Sequence, residues 1–333
     1  MPVTPLLIAC ILLIPTSAFI STAFASFMRS CSLGQQIRAI GPEGHLNKVG
    51  TPTMGGIVVL AIWILGTAAL GSVYPLTLRS GFILASGFLF GAIGAADDLI
   101  SIRKHRSLGL SPLQKIFISS LAAVVLFFGF SAVLKTPLRV PFSSLTVALP
   151  PIGSFFLAWF VFLATTNGMN LTDGLDGLAT GVTILILIGA ALLLPTLENL
   201  ALTLPLIAAL IGFLWINAHP ARLFLGDVGS FALGGIVASL AMASGTTLIL
   251  PILGGIAVLE TGSVILQVIW LKATGRRLFK MSPLHHHFER ETKPIGDYVL
   301  PAPEWSETTI TTRFLILEAL FVLLALLAGG RPF

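Results

Sequence analysis

The run Ser80 to Ala96, SGFILASGFLFGAIGAA, carries no charge, and it is followed at once by Asp97-Asp98 and then by the basic stretch Arg103-Lys104-His105-Arg106. An apolar run of roughly 20 residues predicts a membrane helix. Two adjacent carboxylates where that helix stops, at the negative end of its own dipole, need a compensating cation. The pattern repeats along the chain. Asn170-Leu171-Thr172-Asp173-Gly174-Leu175-Asp176-Gly177, Phe224-Leu225-Gly226-Asp227 and His285-His286-His287 each lie beside another apolar span. Polar chemistry is thus expected to collect at one membrane face.

Of 333 residues, 55% are hydrophobic and only 10% charged, with a mean hydropathy of +0.97. That is too little charge to cover a water-exposed surface of this size. The sequence predicts an all-α, polytopic membrane bundle of ten spans, near 3–28, 53–72, 80–97, 112–134, 152–169, 177–195, 200–217, 228–245, 248–271 and 311–328. Helices satisfy their own backbone in lipid, and the short alternating strands of a barrel are missing. Fifteen of the 19 Lys and Arg fall in or beside the loops after the odd-numbered spans. The positive-inside rule puts those loops, and every acidic and His cluster above, in the cytoplasm, with both termini periplasmic. A single integral domain over 1–333 is expected, with 272–310 its longest hydrophilic stretch, the first span retained and Cys10 and Cys31 unpaired. The net charge of +5 suits anionic lipid headgroups and anionic substrates.

Asp227 reads either as an N-cap or as a metal ligand, and Asp173 and Asp176 either as caps of the helix starting near 177 or as site residues. Gly174 and Gly177 remove bulk and let backbone N–H groups approach a phosphate. Five aspartates on one face need a cation, and hard oxygen donors without a nearby cysteine point to Mg²⁺. Lys48 and Lys115 stand where spans leave the cytoplasm, either as snorkelling lysines or as phosphate contacts. Consecutive histidines point in different directions, so His285, His286 and His287 are poor joint ligands for zinc and better hydrogen-bond donors to a diphosphate.

The stretch Lys48 to Gly56, the Asp97-Asp98 pair, Asn170 to Gly177, Asn217-Ala218-His219-Pro220-Ala221 running into Phe224 to Ser230, and Ser282 to Glu289 occur in order along nearly the whole chain. In these pieces the chain resembles the phospho-N-acetylmuramoyl-pentapeptide transferases, within the polyprenyl-phosphate N-acetylhexosamine-1-phosphate transferases of glycosyl transferase family 4. Pro283-Leu284-His285-His286-His287-Phe288-Glu289 is the most discriminating piece. The resemblance implies Mg²⁺-dependent transfer of phospho-MurNAc-pentapeptide from UDP-MurNAc-pentapeptide to undecaprenyl phosphate, giving lipid I and UMP. It also implies a homodimer in the bacterial inner membrane, in contact with membrane lipids and with no nucleic-acid partner.

Residue by residue, the resemblance places the metal on Asp227 and the nucleoside pocket around Asp176, Asn217 and Phe224. Phosphate contacts fall to Lys48, Lys115 and the His triplet, and Asp97, Asp98, Asn170 and Asp173 line the same cavity. His285 and His286 join Asp97, Asp98 and Asp227 as the expected catalytic set. Gly44, Ser107 and the long Glu291 to Glu307 link depart from the usual pattern. The lipid phosphate is expected to attack the sugar-proximal phosphorus directly, with a covalent aspartyl route as the rival. A transporter is the alternative of a different class; the gathering of charge at one boundary speaks against it, with Glu260, well inside the ninth span, the exception, facing the bundle interior, a cavity or a dimer contact. A sibling transferase for UDP-N-acetylglucosamine is the nearer alternative, and the His motif speaks against it.

Overall fold

The computed structural model describes residues 3–31, 50–104, 109–290, 292–293 and 296–330. Its helices are α1 (Thr4–Ser30), α2 (Gly56–Leu70), α3 (Leu78–Lys104), α4 (Pro112–Gly129), α5 (Pro151–Thr172), α6 (Leu178–Leu193), α7 (Leu197–Asn217), α8 (Gly226–Ala243), α9 (Leu250–Leu253), α10 (Gly255–Thr274), α11 (Leu284–Phe288) and α12 (Glu307–Ala328). Between α4 and α5 lies a small antiparallel hairpin of β1 (Leu138–Arg139) and β2 (Thr146–Val147), with Leu138 opposite Val147. The protein is an all-α, multi-pass membrane protein. Among the described residues, eight helices are long and apolar enough to cross a bilayer. The second and sixth expected spans form shorter apolar helices, α2 and α6, of 15 and 16 residues.

Two expected spans end differently from their sequence reading. α3 does not stop at Asp97 but runs on to Lys104. The ninth span breaks at Gly254 into α9 and α10. At that break Glu318 of α12, fully buried, accepts the Ile256 N–H at 2.9 Å, so one of the amides exposed at the start of α10 finds an acceptor inside the protein.

α8 is the axis of the bundle, and every one of its residues except Asp227 is buried. α3 can lie against it because Gly87, Gly91 and Gly94 form a stripe of small residues on the facing side. A Cβ at Gly94 would sit 2.0 Å from the Asp227 carbonyl oxygen, so this position admits no side chain. Trp63, Phe82, Phe90, Phe162, Phe213 and Phe231 fill the surrounding core. The outer helices invert the soluble pattern. On α4, Leu113, Phe117, Leu121, Val125 and Phe128 recur at helical spacing and are exposed, which suits a face turned to lipid.

The bundle has two chemically distinct ends. At one, Ser80 of α3 and Glu198 of α7 are hydrogen-bonded at 2.7 Å, Arg79 reaches Ser244 beyond α8 at 2.7 Å, and the hairpin segment joins the end of α12 through Phe142 N–H to the Ala328 carbonyl. At the other end lie the far part of α3, the start of α4, the end of α5 and the start of α8. Every described site residue named from the sequence is there.

Candidate active site

The two aspartates of α3 are compensated by two different means. Because α3 continues past them, they do not sit at its negative pole as the sequence reading assumed. Asp98 is directed at the start of α8, where Oδ1 accepts the Asp227 N–H at 3.2 Å and Oδ2 the Val228 N–H at 3.1 Å. A carboxylate from a neighbouring helix thus caps the positive end of the central one. This resolves the two readings of Asp227 as regards capping: its own side chain is not the N-cap, since Asp98 performs that task from outside.

Freed from capping, the Asp227 carboxylate faces the site. Oδ2 accepts from Lys115 Nζ at 2.5 Å, and Oδ1 from Asn170 Nδ2 at 2.9 Å. Lys115 also reaches Asp97 Oδ2 at 3.1 Å, while Asp97 Oδ1 accepts the Leu110 N–H at 2.6 Å. Lys115 is not a snorkelling residue. Its side chain is 15% exposed and its ammonium bridges two carboxylates. The start of α4 is fixed by a capping box in which Ser111 and Gln114 exchange hydrogen bonds, which sets the lysine one turn inside the helix.

Asp173 is the C-cap of α5 and Asp176 follows on the loop to α6. Neither caps α6, whose N-cap is Gly177 in the left-handed region with no side-chain hydrogen bond. The Asp173 carboxyl makes no hydrogen bond or ion pair among the described residues. Withdrawal from water, reinforced by the charges of Asp227, Asp98 and Asp176, pushes it well above the usual carboxylate range. Asp176 Oδ2 accepts the Ala221 N–H at 3.0 Å and lies 3.1 Å from His219 Nδ1. Glu307, the first residue of α12, takes the Asp176 N–H on Oε1 at 2.7 Å and lies 3.3 Å from His219 Nδ1 through Oε2. Asp176, His219 and Glu307 offer ligand atoms all within 4.8 Å of one another. His219 and Glu307 were not singled out from the sequence, although His219 lies in the Asn217 to Ala221 string.

Asn217 and Phe224 hold this loop from below. Asn217 is buried, its Oδ1 accepting from Thr180 at 2.7 Å and its Nδ2 donating to the Leu223 carbonyl at 3.0 Å. The Phe224 backbone pairs with Pro52 and Gly55, which ties the loop to the stretch leading into α2. Lys48 lies outside the described residues, as do Gly44 and Ser107.

The three histidines diverge as consecutive residues must. His285 is buried against Glu260, with Nδ1 3.1 Å from Oε1. His286 Nδ1 lies 2.8 Å from Glu289 Oε2. His287 Nδ1 accepts the Lys280 N–H at 3.1 Å, a second hydrogen bond links the residue to the Pro301 backbone, and burial pushes its imidazole below the usual range. The described part of the link after the His motif, 296–306, reaches back to α11 and to the segment before it. Trp305 stacks on Phe288 with centroids 4.7 Å apart and Tyr298 pairs with Arg277 in a backbone bridge.

The site is therefore one chain of contacts from Lys115 through Asp97, Asp227 and Asn170, with Asp173 and Asp176 close enough to add their charge, and with the His helix alongside. Residues 81–245 match the model of glycosyl transferase family 4. The chain is 42% identical over 315 residues to the phospho-N-acetylmuramoyl-pentapeptide-transferase of Desulforamulus reducens, covering 92% of this chain and 90% of that protein. It is 37% identical over 339 residues to the enzyme of the same name from Oceanobacillus iheyensis, covering 97% and 98%. It is 41% identical over 331 residues to that from Frankia alni, covering 89% and 88%. A site at one end of a membrane bundle and relatives matched along nearly their whole length lead to one conclusion: the chain belongs to the phospho-N-acetylmuramoyl-pentapeptide-transferase family.

Proposed function

We propose that the protein transfers phospho-MurNAc-pentapeptide from UDP-MurNAc-pentapeptide to undecaprenyl phosphate at the cytoplasmic face of a bacterial inner membrane, releasing UMP. The observation that carries this reading is the position of Asp227. It is the one partly exposed residue of an otherwise buried helix, and it meets Lys115 and Asn170 at the bundle end where the other acids gather. The basic excess at that end supports its cytoplasmic placement, and the family resemblance supports a homodimer.

The donor set fits a divalent cation. Its groups are carboxylate and amide oxygens, and Asp173 stands among three other carboxylates with no partner of opposite charge among the described residues. Asp227 would hold Mg²⁺, which when bound would supply positive charge to offset that of a diphosphate. The chain's own residues do the rest. Lys115 supplies a fixed positive charge for phosphate oxygens, Asp98 orients Asp227 through the backbone, and Asn170 sets the carboxylate's rotation. A phosphate monoester with a second pKa of ~6 is mostly dianionic near neutrality, so direct attack needs no strong base. Asp97, already accepting from Leu110 and Lys115, is suited to positioning the lipid headgroup.

Purified protein given undecaprenyl phosphate, Mg²⁺ and each of a panel of UDP-sugars is expected to release UMP with UDP-MurNAc-pentapeptide. UMP from UDP-N-acetylglucosamine alone would replace this reading by the sibling activity. Solute flux into liposomes with no UMP from any donor would replace it by transport. A second expectation concerns Gly174, where an added methyl would fall 2.2 Å from His285 Nε2. Gly174→Ala is expected to displace the ring and lower the UMP release rate roughly 10²-fold, the cost of a misplaced group near the reacting atoms.

A further inference from the structure

Glu260 is the acid that the sequence places deep in a span without an evident partner, and the transfer chemistry above does not use it. In the structure it is fully buried on α10. Its carboxylate accepts the His285 backbone N–H, at 3.3 Å to Oε1 and 3.4 Å to Oε2, and faces the same residue's Nδ1 at 3.1 Å. An ionised carboxylate only accepts, so the contact assigns the imidazole the tautomer with its proton on Nδ1. The other ring nitrogen, Nε2, is buried and has no hydrogen-bond partner among the described residues, an uncommon state for a polar atom at 1% residue exposure. It is directed at Gly174, whose missing side chain makes the room, in the loop between Asp173 and Asp176.

We infer that Glu260 is a positioning residue for the transfer reaction: it holds the His285 ring so that Nε2 is delivered, unpaired, to the donor nucleotide beside the Asp173-Gly174 turn. The inference rests on the transferase reading. The division of labour follows from the contacts. Glu260 anchors both the backbone and the ring of His285, which fixes the tautomer and the ring's rotation at once. His286, its ring tilted against that of His285 with centroids 4.2 Å apart, and His287 are each held by other partners. Among the described residues, His285 is the histidine of the three with a buried ring nitrogen that lacks a hydrogen-bond partner. A buried acid in the ninth span then needs no transport role to explain it.

The test combines spectroscopy with a double-mutant cycle. Nitrogen-15 histidine spectra of the ligand-free protein in detergent, assigned with His285→Gln, are expected to show His285 protonated on Nδ1, with Nε2 bare. Glu260→Gln, whose amide can turn to donate instead, is expected to shift that tautomer and to lower kcat roughly 10²-fold with KM little changed. His285→Gln should cost a similar factor, and the double variant no more than the worse single. An Nε2-protonated His285 in the parent protein, or losses that multiply in the double variant, would overturn the inference. The spectrum of the parent decides even where Glu260→Gln fails to fold. Because it needs no substrate, its failure is distinct from a failure to release UMP.

Discussion

Asp227→Asn is expected to reduce UMP release by at least about 10³-fold, the scale set by removing a fixed charge from a preorganised polar site, while the protein stays folded in the membrane. Folding is spared because what binds α8 at this point is the backbone: Asp98 takes the Asp227 and Val228 N–H groups, and neither bond involves the Asp227 side chain. Activity is not spared. The carboxylate now accepts from Lys115 on one oxygen and from Asn170 on the other. An asparagine must turn its NH₂ toward one of those two donors, so one contact becomes donor against donor, and the negative charge for a cation is gone. UMP release by the variant at parent levels would remove Asp227 from the proposed metal site.

Lys115→Met is expected to be nearly as severe for turnover and more damaging to the fold. Its ammonium is the only cation that the described residues bring to Asp97 and Asp227. Methionine keeps most of the unbranched stem but removes the ammonium, and with it the cation–π contact to Phe231, and leaves two part-buried carboxylates facing each other. Roughly 2–3 kcal/mol of destabilisation is expected, below the range for a fully buried pair because water reaches one side. A lower midpoint of thermal aggregation in detergent measures it. High Mg²⁺ should recover part of the loss, since a second cation relieves the same repulsion. Lys115→Arg should restore stability more than turnover, because a guanidinium can still pair with both acids but its larger, planar fork does not place the charge where the compact ammonium does. A Lys115→Met protein as stable and active as the parent would show that the acids are balanced elsewhere.

The distribution of apolar residues in the sequence determined that this is a helical membrane protein and where its helices lie, because a bilayer imposes length and backbone satisfaction on each span separately. The order of the short polar strings pointed to the family. Partner choice was beyond it. Asp97-Asp98 read as a pair stranded at a helix end, yet one aspartate faces a lysine of α4 and the other the start of α8. Those contacts join residues 18 and 129 positions apart: the return of α4 beside α3 makes the first, and the packing of α3 on α8 across the glycine stripe makes the second. Glu260 gave no sign of its partner, 25 residues further on, because it depends on where α11 folds back. A span is a local property of the chain, written in about 20 consecutive residues. Which carboxylate is paired, which caps a helix and which is left to seek a cation depends on distances between helices, and those exist only once the bundle has packed.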